Sequence, residues 1–295
     1  MTGHGERPGA ERTNGVTLDG ARLAVHESGR GTPVVALHCS LGAGVQWSAL
    51  GEQIGPEFRL FAPDFHGCGG SDAWPGRRPL RLADEAAVVA ALADRAGEPM
   101  HLIGHSYGGA VALRAAVAYP ERIASLTLFE PVAFGLLRRG DAGDRHLFAE
   151  VAQLSDAVLQ AAASGDTHRG ARRFVDYWGG PGSFAGFSER RQAGLAARIG
   201  RVAMDFSAAF AEPWELKDLR RLTVPVLLLD GDRSPAPTRR ISAMLQAALP
   251  ISSLVTIPQA GHLAPLTAAD EVNFMITSFL VDAKLRMRRR LLASA

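Results

Sequence analysis

The segment at residues 101–109, His-Leu-Ile-Gly-His-Ser-Tyr-Gly-Gly, determines the expected fold of this chain. It begins with a short apolar run and leads directly into the alanine-rich segment 110–118, a pattern typical of a buried strand followed at once by a helix. Gly104 and Gly108 stand two residues before and after Ser106, where a sharp turn from strand to helix leaves no room for side chains. The segment therefore predicts that Ser106 stands clear of a sheet on a tight turn, as a serine nucleophile must.

Similar short apolar runs recur on both sides of this segment, with helical patterns between them. Runs of this kind suit strands that are buried on both faces of a parallel sheet. Strands are expected at 33–37, 60–62, 101–103, 126–129, 226–229 and 254–257, an edge hairpin at 16–27, and helices at 82–93, 110–118, 239–248 and 268–280. The alternation predicts an α/β fold: a mostly parallel, eight-stranded sheet with helices on both faces and right-handed crossovers.

The region 134–222 breaks this alternation, because it contains helical segments but no convincing strand. An insertion of this size is interpreted as a helical cap over the carboxyl edge of the sheet, where ligands bind in such folds. Several ordinary crossover helices are the alternative. The predicted organisation is a flexible N-terminus at 1–14, a core at 15–133 and 223–295, and the cap at 134–222.

Composition excludes several classes of protein. The 295 residues carry a net charge of only +2, which argues against a nucleic-acid partner. No run of about 18 apolar residues is present, so no membrane span is expected. The N-terminus lacks the apolar stretch of a signal peptide, which favours a cytoplasmic location. The two cysteines, Cys39 and Cys68, are expected to be free thiols.

Backbone amides near Ser106 are candidates for an oxyanion hole. A helix that starts directly after Ser106 has free N–H groups and the positive end of its dipole where negative charge develops. We therefore expect the N–H of Tyr107 to be one donor. The second donor comes from the loop at 38–42, His-Cys-Ser-Leu-Gly, where the N–H of Ser40 is favoured. The Ser40 hydroxyl either assists or forms the turn.

Two motifs resemble the α/β-hydrolase superfamily, and the resemblance covers residues 16–280. One is Gly-His-Ser-Tyr-Gly-Gly at 104–109; the other is Ala-Pro-Asp-Phe-His-Gly-Cys-Gly-Gly-Ser-Asp at 62–72. The resemblance implies that Asp64 and Gly67 fix a loop beside the oxyanion strand. It also implies a His-Gly pair after the first parallel strand, where this chain instead has His38-Cys39.

His262 is the candidate base. It follows the last predicted strand and precedes the final helix, so the chain order of serine first and histidine last matches the superfamily. Its position places the imidazole on a loop at the carboxyl edge of the sheet. His105, next to the nucleophile, is expected to point into the interface between helix and sheet.

The acid of the expected triad is less obvious. The superfamily pattern Gly-x-x-Asp after the strand at 226–229 has Ser234 at its fourth position, and serine carries no charge. Asp232 and Asp230 are nearby but out of register. Glu130 ends the strand at 126–129, and certain haloalkane dehalogenases resemble this chain in carrying their acid there. A buried glutamate needs a partner. Glu130 is therefore the favoured acid, with Asp232 as the alternative.

These residues predict a serine hydrolase that works through an acyl-enzyme without a metal or cofactor. A small to mid-sized apolar carboxylic ester is the expected substrate. Hydrolysis of a C–C bond next to a carbonyl, as in ring-fission products, is the alternative reaction, and a non-catalytic ligand-binding protein is the alternative class. A homo-oligomer is possible. The candidate pocket residues are the cap aromatics Phe134, Phe174, Tyr177, Trp178, Phe184, Phe187, Phe206 and Phe210.

Overall fold

The structure is a computed structural model that describes residues 12–294. Eight strands form one sheet in the order β1-β2-β4-β3-β5-β6-β7-β8. The strands are β1 (Arg12–Leu18), β2 (Ala21–Gly29), β3 (Thr32–Leu37), β4 (Phe58–Pro63), β5 (Met100–His105), β6 (Ile123–Phe129), β7 (Val226–Gly231) and β8 (Ser252–Ile257). The pairs β1–β2 and β2–β4 are antiparallel, and the other pairs are parallel. The predicted mostly parallel sheet of eight strands is confirmed.

Twelve α-helices accompany the sheet in the described part of the chain. They are α1 (Ser48–Ile54), α2 (Leu82–Ala96), α3 (Tyr107–Ala118), α4 (Gly135–Arg138), α5 (Ala142–Ser164), α6 (Thr167–Gly179), α7 (Glu189–Ala196), α8 (Ile199–Ala211), α9 (Leu216–Leu219), α10 (Ala236–Ala248), α11 (Ala264–Thr267) and α12 (Ala269–Ser294). Short 3₁₀ turns lie at Gly44–Trp47 and Pro120–Arg122. The last helix is longer than expected: the charged segment after residue 280 remains helical, and the Lys284 ammonium contacts Glu57 at 3.1 Å.

Both faces of the sheet are covered, because alternate strand residues belong to two separate apolar clusters. Leu102 and Leu128 pack on one side together with Val89 of α2 and Leu113 of α3. On the other side, neighbouring strand residues pack with α1 and α12; they are Ile103, Phe129, Leu50, Val272 and Ile276. The runs are apolar throughout because neither face of the parallel strands meets water.

Between β6 and β7 the chain forms α4 to α9, and no strand occurs in this described segment. We refer to residues 131–225 as the helical insertion. Its helices follow local signals: the Asp141 side chain accepts the N–H of Asp144 at the start of α5, and Gly165 ends that helix in the left-handed conformation. The division into core and cap at residues 134 and 222 remains a prediction.

The N-terminal hairpin matches the expectation, since β1 and β2 pair around the turn at Asp19-Gly20. Of the expected flexible segment 1–14, residues 1–11 lie outside the part of the chain that the structure describes. Its last three residues, however, belong to β1 and pair with β2. Among residues 12–294, no helix is both long and apolar enough to span a bilayer.

Candidate active site

Ser106 occupies the sharp turn that the sequence predicts. It links β5 to α3 with φ 57° and ψ −114°, a backbone conformation that L-residues rarely adopt. Its N–H donates to the carbonyl of Phe129 at 2.9 Å, which fixes the turn against β6. A Cβ on Gly104 would collide with the carbonyl of Gly108, and one on Gly108 would collide with the backbone of Leu37. The two glycines are therefore required by close backbone approach.

His262 contacts Ser106 directly. Its Nε2 lies 2.9 Å from Ser106 Oγ, and its Nδ1 lies 2.6 Å from Glu130 Oε2. An ionised carboxylate only accepts hydrogen bonds, so Nδ1 carries the proton and Nε2 accepts from the serine hydroxyl. The imidazole is 2% exposed, and the indole of Trp178 covers it with ring centroids 4.2 Å apart. The structure thus brings together the three residues that the sequence singled out.

Glu130 is held at the end of β6 by donors from the neighbouring strand and helix. Its backbone has φ 43°, and its side chain is completely buried. The N–H of Gly231 donates to Oε1 at 2.8 Å, and the Thr238 hydroxyl lies 2.9 Å from Oε2. Burial alone raises the pKa of this carboxyl. Hydrogen bonding and charge from His262, with help from Ser234 and Gly231, outweigh burial and lower the pKa overall, so Glu130 is a buried anion.

The structure does not support Asp232 as the acid. Its side chain is exposed, while Glu130 holds the position next to His262. Asp230 is buried, and burial raises the pKa of its carboxyl. Ser234, at the usual place of the acid, is one of the groups that lower the pKa of Glu130.

His105 does not simply fill the interface between helix and sheet. Its Nε2 lies 2.9 Å from the carbonyl oxygen of His262, and its Nδ1 lies 3.1 Å from the amide nitrogen of Gln46. Gln46 Oε1 accepts the N–H of Cys39 at 3.0 Å. A carbonyl only accepts, so Nε2 carries the proton and Nδ1 accepts from Gln46. Burial lowers the pKa of His105 well below its usual value, which keeps the ring neutral.

This chain of hydrogen bonds links the loop after β3 to the loop that carries His262. The sequence analysis missed Gln46, since nothing in a 3₁₀ turn marks a glutamine for such a contact. Beneath the same loop, His38 donates to the carbonyl of Cys39 at 2.7 Å and accepts the N–H of Phe65 at 3.1 Å. Burial raises the pKa of the Cys39 thiol to about 12, so this cysteine is neutral. Cys39 and Cys68 are both free thiols, as expected.

A cavity opens above Ser106. Ser40 and Tyr107, the two residues expected to supply oxyanion donors, both line it; the role of their amides remains a prediction. The helical insertion supplies most of the remaining wall. The lining residues are Ser40, Ser106, Tyr107, Val132, Phe134, Phe174, Trp178, Asp205, Phe206 and Ala209.

Four of the eight candidate aromatics line the cavity, and four do not. Phe134, Phe174, Trp178 and Phe206 form its wall. The hydroxyl of Tyr177 instead donates to Glu150 at 2.6 Å. Phe184, Phe187 and Phe210 pack within or against the apolar core. Helical periodicity identifies a buried face but does not say which of its residues meet a ligand.

Asp205 and Arg201 of α8 form a buried ionic cluster that the sequence analysis missed. Arg201 Nη1 lies 2.7 Å from Asp205 Oδ1, and Nη2 lies 2.7 Å from Glu85 Oε1. Glu85 also contacts His66 Nδ1 at 2.9 Å. An Arg and an Asp four residues apart on a helix usually form an exposed pair, so the sequence carries no sign of this burial.

The described residues contain no cluster of three or more His, Cys, Asp or Glu side chains arranged to hold a metal ion. What the site offers is a hydroxyl, an imidazole and a buried carboxylate in hydrogen-bonded series. These are the parts of general-base activation of a nucleophile.

Comparison with known proteins agrees with this geometry. The chain is 27% identical over 279 residues to a Bacillus subtilis (strain 168) protein assigned as 2-succinyl-6-hydroxy-2,4-cyclohexadiene-1-carboxylate synthase, covering 90% of this chain and 96% of that one. It is 26% identical over 282 residues to the pimeloyl-[acyl-carrier protein] methyl ester esterase of Aeromonas salmonicida (strain A449), covering 88% and 99%.

A solved structure of the epoxide hydrolase CorEH has the same fold, with a TM-score of 0.74 at 21% identity, covering 92% of this chain and 99% of that one. The family model described as alpha/beta hydrolase fold matches residues 32–269, which is most of the chain. The sequence, the sheet order and the turn at Ser106 agree with that match, and the chain belongs to the α/β-hydrolase family.

Proposed function

We propose that this chain is a serine hydrolase that cleaves carboxylic esters through an acyl-enzyme on Ser106. One observation carries the proposal: His262 lies within hydrogen-bond distance of Ser106 Oγ on one side and of Glu130 on the other, at 2.9 and 2.6 Å. A serine hydroxyl is a weak nucleophile, and a positioned base with an orienting acid is what activates it.

In the proposed reaction, His262 Nε2 takes the proton of Ser106 as Oγ attacks the ester carbonyl. The tetrahedral oxyanion is stabilised by the N–H groups of Tyr107 and Ser40, and by the positive end of α3. His262 then gives its proton to the leaving alcohol. Water, deprotonated by the same imidazole, attacks the acyl carbonyl. The bond to Ser106 Oγ then breaks, Oγ takes the proton back from His262, and the carboxylic acid is released.

Glu130 keeps the proton on Nδ1 and stabilises the imidazolium that forms. Its low pKa supports this role, because an ionised carboxylate is available at neutral pH even though it is buried. Trp178, stacked on the imidazole, shields the site from bulk water and thereby strengthens these electrostatic contacts.

The cavity favours ester hydrolysis over hydrolysis of C–C bonds in ring-fission products. Such a product carries a carboxylate, and Asp205 in the cavity wall repels a second negative charge. The remaining wall is mainly aromatic and aliphatic, which suits a small to mid-sized acyl or alkyl group without negative charge. The full-length similarity to a methyl ester esterase is consistent with this choice.

The test combines labelling with turnover. A fluorophosphonate should label the protein stoichiometrically at Ser106, p-nitrophenyl butyrate should be hydrolysed, and both should be lost in Ser106→Ala. Ser207→Ala is a matched control, since its hydroxyl bonds to its own helix at Ala203. A folded protein that is neither labelled nor active would indicate a ligand-binding member of the family. Turnover of vinylogous diketo acids but not of esters would indicate the C–C reaction.

A further inference from the structure

Asp205 is a buried carboxylate to which the proposed mechanism gives no role. It lies on α8, is 4% exposed, and lines the same cavity as Ser106. Among the described residues of the cavity wall, it is the one that carries a charge. A carboxylate in such a position costs free energy unless something balances it.

The protein balances this charge only in part. Arg201 lies behind Asp205, outside the cavity wall, and it faces two carboxylates, those of Asp205 and Glu85. The contact to Asp205 is close but poorly aligned: in the described part of the chain, Oδ1 of Asp205 has no hydrogen-bond partner of good geometry. Burial raises the pKa of Asp205 to about 6 and outweighs the charge of Arg201 and a hydrogen bond from the Ser40 side chain, which both lower it. These two partners therefore do not fully compensate the anion, although Asp205 remains ionised above neutral pH.

Aromatic rings make up much of the rest of the cavity wall. Phe174 packs edge to face against Phe206 at 6.0 Å and against Trp178 at 6.4 Å, and Phe134 stacks on Phe206 at 6.4 Å. The faces of aromatic rings attract cations, and most strongly where water is excluded. An undercompensated carboxylate among aromatic rings is the chemistry that holds an ammonium group.

We infer that the cavity selects esters whose buried part carries an ammonium group, and that Asp205 is the residue responsible. The inference rests on the proposed ester hydrolysis and adds the class of substrate. A positive charge on the acyl or the alcohol side satisfies Asp205 and gains contact with the rings. A negatively charged ester meets repulsion in the same place.

The first experiment uses the wild-type protein and pairs of esters that match in shape but differ in charge. One pair places the charge in the acyl group: p-nitrophenyl 4-(trimethylammonio)butyrate and p-nitrophenyl 5,5-dimethylhexanoate. The other places it in the alcohol: butyrylcholine and 3,3-dimethylbutyl butyrate. At about pH 8, kcat/KM for the cationic member should exceed that of its partner by roughly tenfold in at least one pair. Equal values, or a preference for the neutral member in both pairs, overturn the inference.

The second experiment assigns the preference to Asp205. Asp205→Asn keeps the size of the side chain and removes its charge, so the ratio of kcat/KM for the cationic ester to kcat/KM for its neutral partner should fall to about one. Asp156→Asn, an exposed carboxylate on α5 of the same insertion, is the matched control and should leave the preference intact. A cationic preference that survives in Asp205→Asn also overturns the assignment. If that variant does not fold, inhibition of the wild type by tetramethylammonium, compared with neopentyl alcohol, decides the matter in its place.

Failure of this inference is distinguishable from failure of the proposed function. Hydrolysis of the neutral esters without a cationic preference removes the inference and leaves the serine hydrolase intact. Absence of turnover with all four esters, together with absence of fluorophosphonate labelling, removes both.

Discussion

Glu130 and Asp205 are both buried carboxylates at one cavity, yet their surroundings shift their pKa values in opposite directions. Glu130, at the sheet edge, has donors at Gly231, Thr238 and His262, and its pKa is lowered. Asp205, in the helical insertion, is stabilised by the charge of Arg201 and a hydrogen bond from the Ser40 side chain, but burial outweighs both and raises its pKa to about 6. Depth of burial does not account for the difference, since both are almost inaccessible.

The difference follows from what each kind of secondary structure can donate. The pairing of β6 with β7 ends at Phe129 and Leu229, so the N–H of Gly231, at the end of β7, lies beyond the paired residues and donates to Glu130. The N–H groups within α8 are already bonded to their own helix, so Asp205 depends on side chains. The sheet edge therefore stabilises the Glu130 anion without a ligand, whereas the Asp205 anion in the helical insertion can be stabilised further by a ligand.

The largest expected effect comes from removing the charge at the sheet edge. Glu130→Gln keeps the shape of the side chain but can turn an amide N–H toward His262 Nδ1. This favours the tautomer whose Nε2 is protonated and cannot accept the proton of Ser106. We expect kcat for p-nitrophenyl butyrate to fall roughly 10³- to 10⁴-fold with the fold unchanged, as measured by steady-state kinetics and circular dichroism.

Asp232→Asn is the matched control for this change, and its kcat should equal that of the wild type because the side chain is exposed. The reverse pattern, a full loss in Asp232→Asn and normal turnover in Glu130→Gln, would transfer the role of the acid to the end of β7.

A smaller effect is expected from the hydrogen bonds that position the base. Gln46→Met removes the donor to His105 Nδ1 and the acceptor for Cys39 N–H. The tautomer of His105 is then no longer fixed, and its hydrogen bond to the carbonyl of His262 is weakened. We expect kcat to fall about 10- to 100-fold with little change in KM, because the change shifts the imidazole of His262 but leaves the residues of the cavity wall in place.

Gln192→Met, in the helical insertion, serves as its control, because the Gln192 amide donates to the carbonyl of Phe187 and not to a residue of the active site. A rise in KM with unchanged kcat in Gln46→Met would show that Gln46 shapes the pocket and does not position His262.

The smallest expected effect concerns the stability of the carboxylate in the insertion. Because the folded-state pKa of Asp205 is raised from 3.8 to about 6, its contribution to stability is present below about pH 4 and is lost as pH rises through about 6. The free energy of unfolding of Asp205→Asn, relative to that of the wild type, should therefore increase by on the order of 2 kcal/mol as the pH rises from about 4 to about 8. Urea unfolding at both pH values measures this gain. A difference that does not vary with pH would mean that Arg201 fully compensates the charge.

The sequence was sufficient for the features that depend on local order. The two flanking glycines predict the turn at Ser106. Glu130 was the favoured candidate for the acid because parallel strands end at one edge of a sheet. His262 was identified by its place after the last strand. Each of these follows from the position of one residue relative to one strand.

The features that the sequence did not reveal depend on packing between distant segments. Arg201 and Asp205 form an i, i+4 pair on α8, and only contact with Glu85 of α2 makes the pair a buried one. Gln46 contacts His105, 59 residues away in the chain. No sequence pattern marks the Arg201–Asp205 pair or Gln46, because a polar residue on a helix or turn is expected to be exposed to solvent unless its neighbours in the fold are known.

The placement of α4 to α9 between β6 and β7 has an evolutionary consequence. The groups that contact the nucleophile come from strand ends, whereas the aromatic wall and Asp205 come almost entirely from one continuous stretch of chain. Drift, recombination or laboratory randomisation within that stretch can exchange ligand preference while inheriting the chemistry unchanged. Related proteins with this architecture can therefore diverge in ligand preference through changes in the one segment between β6 and β7.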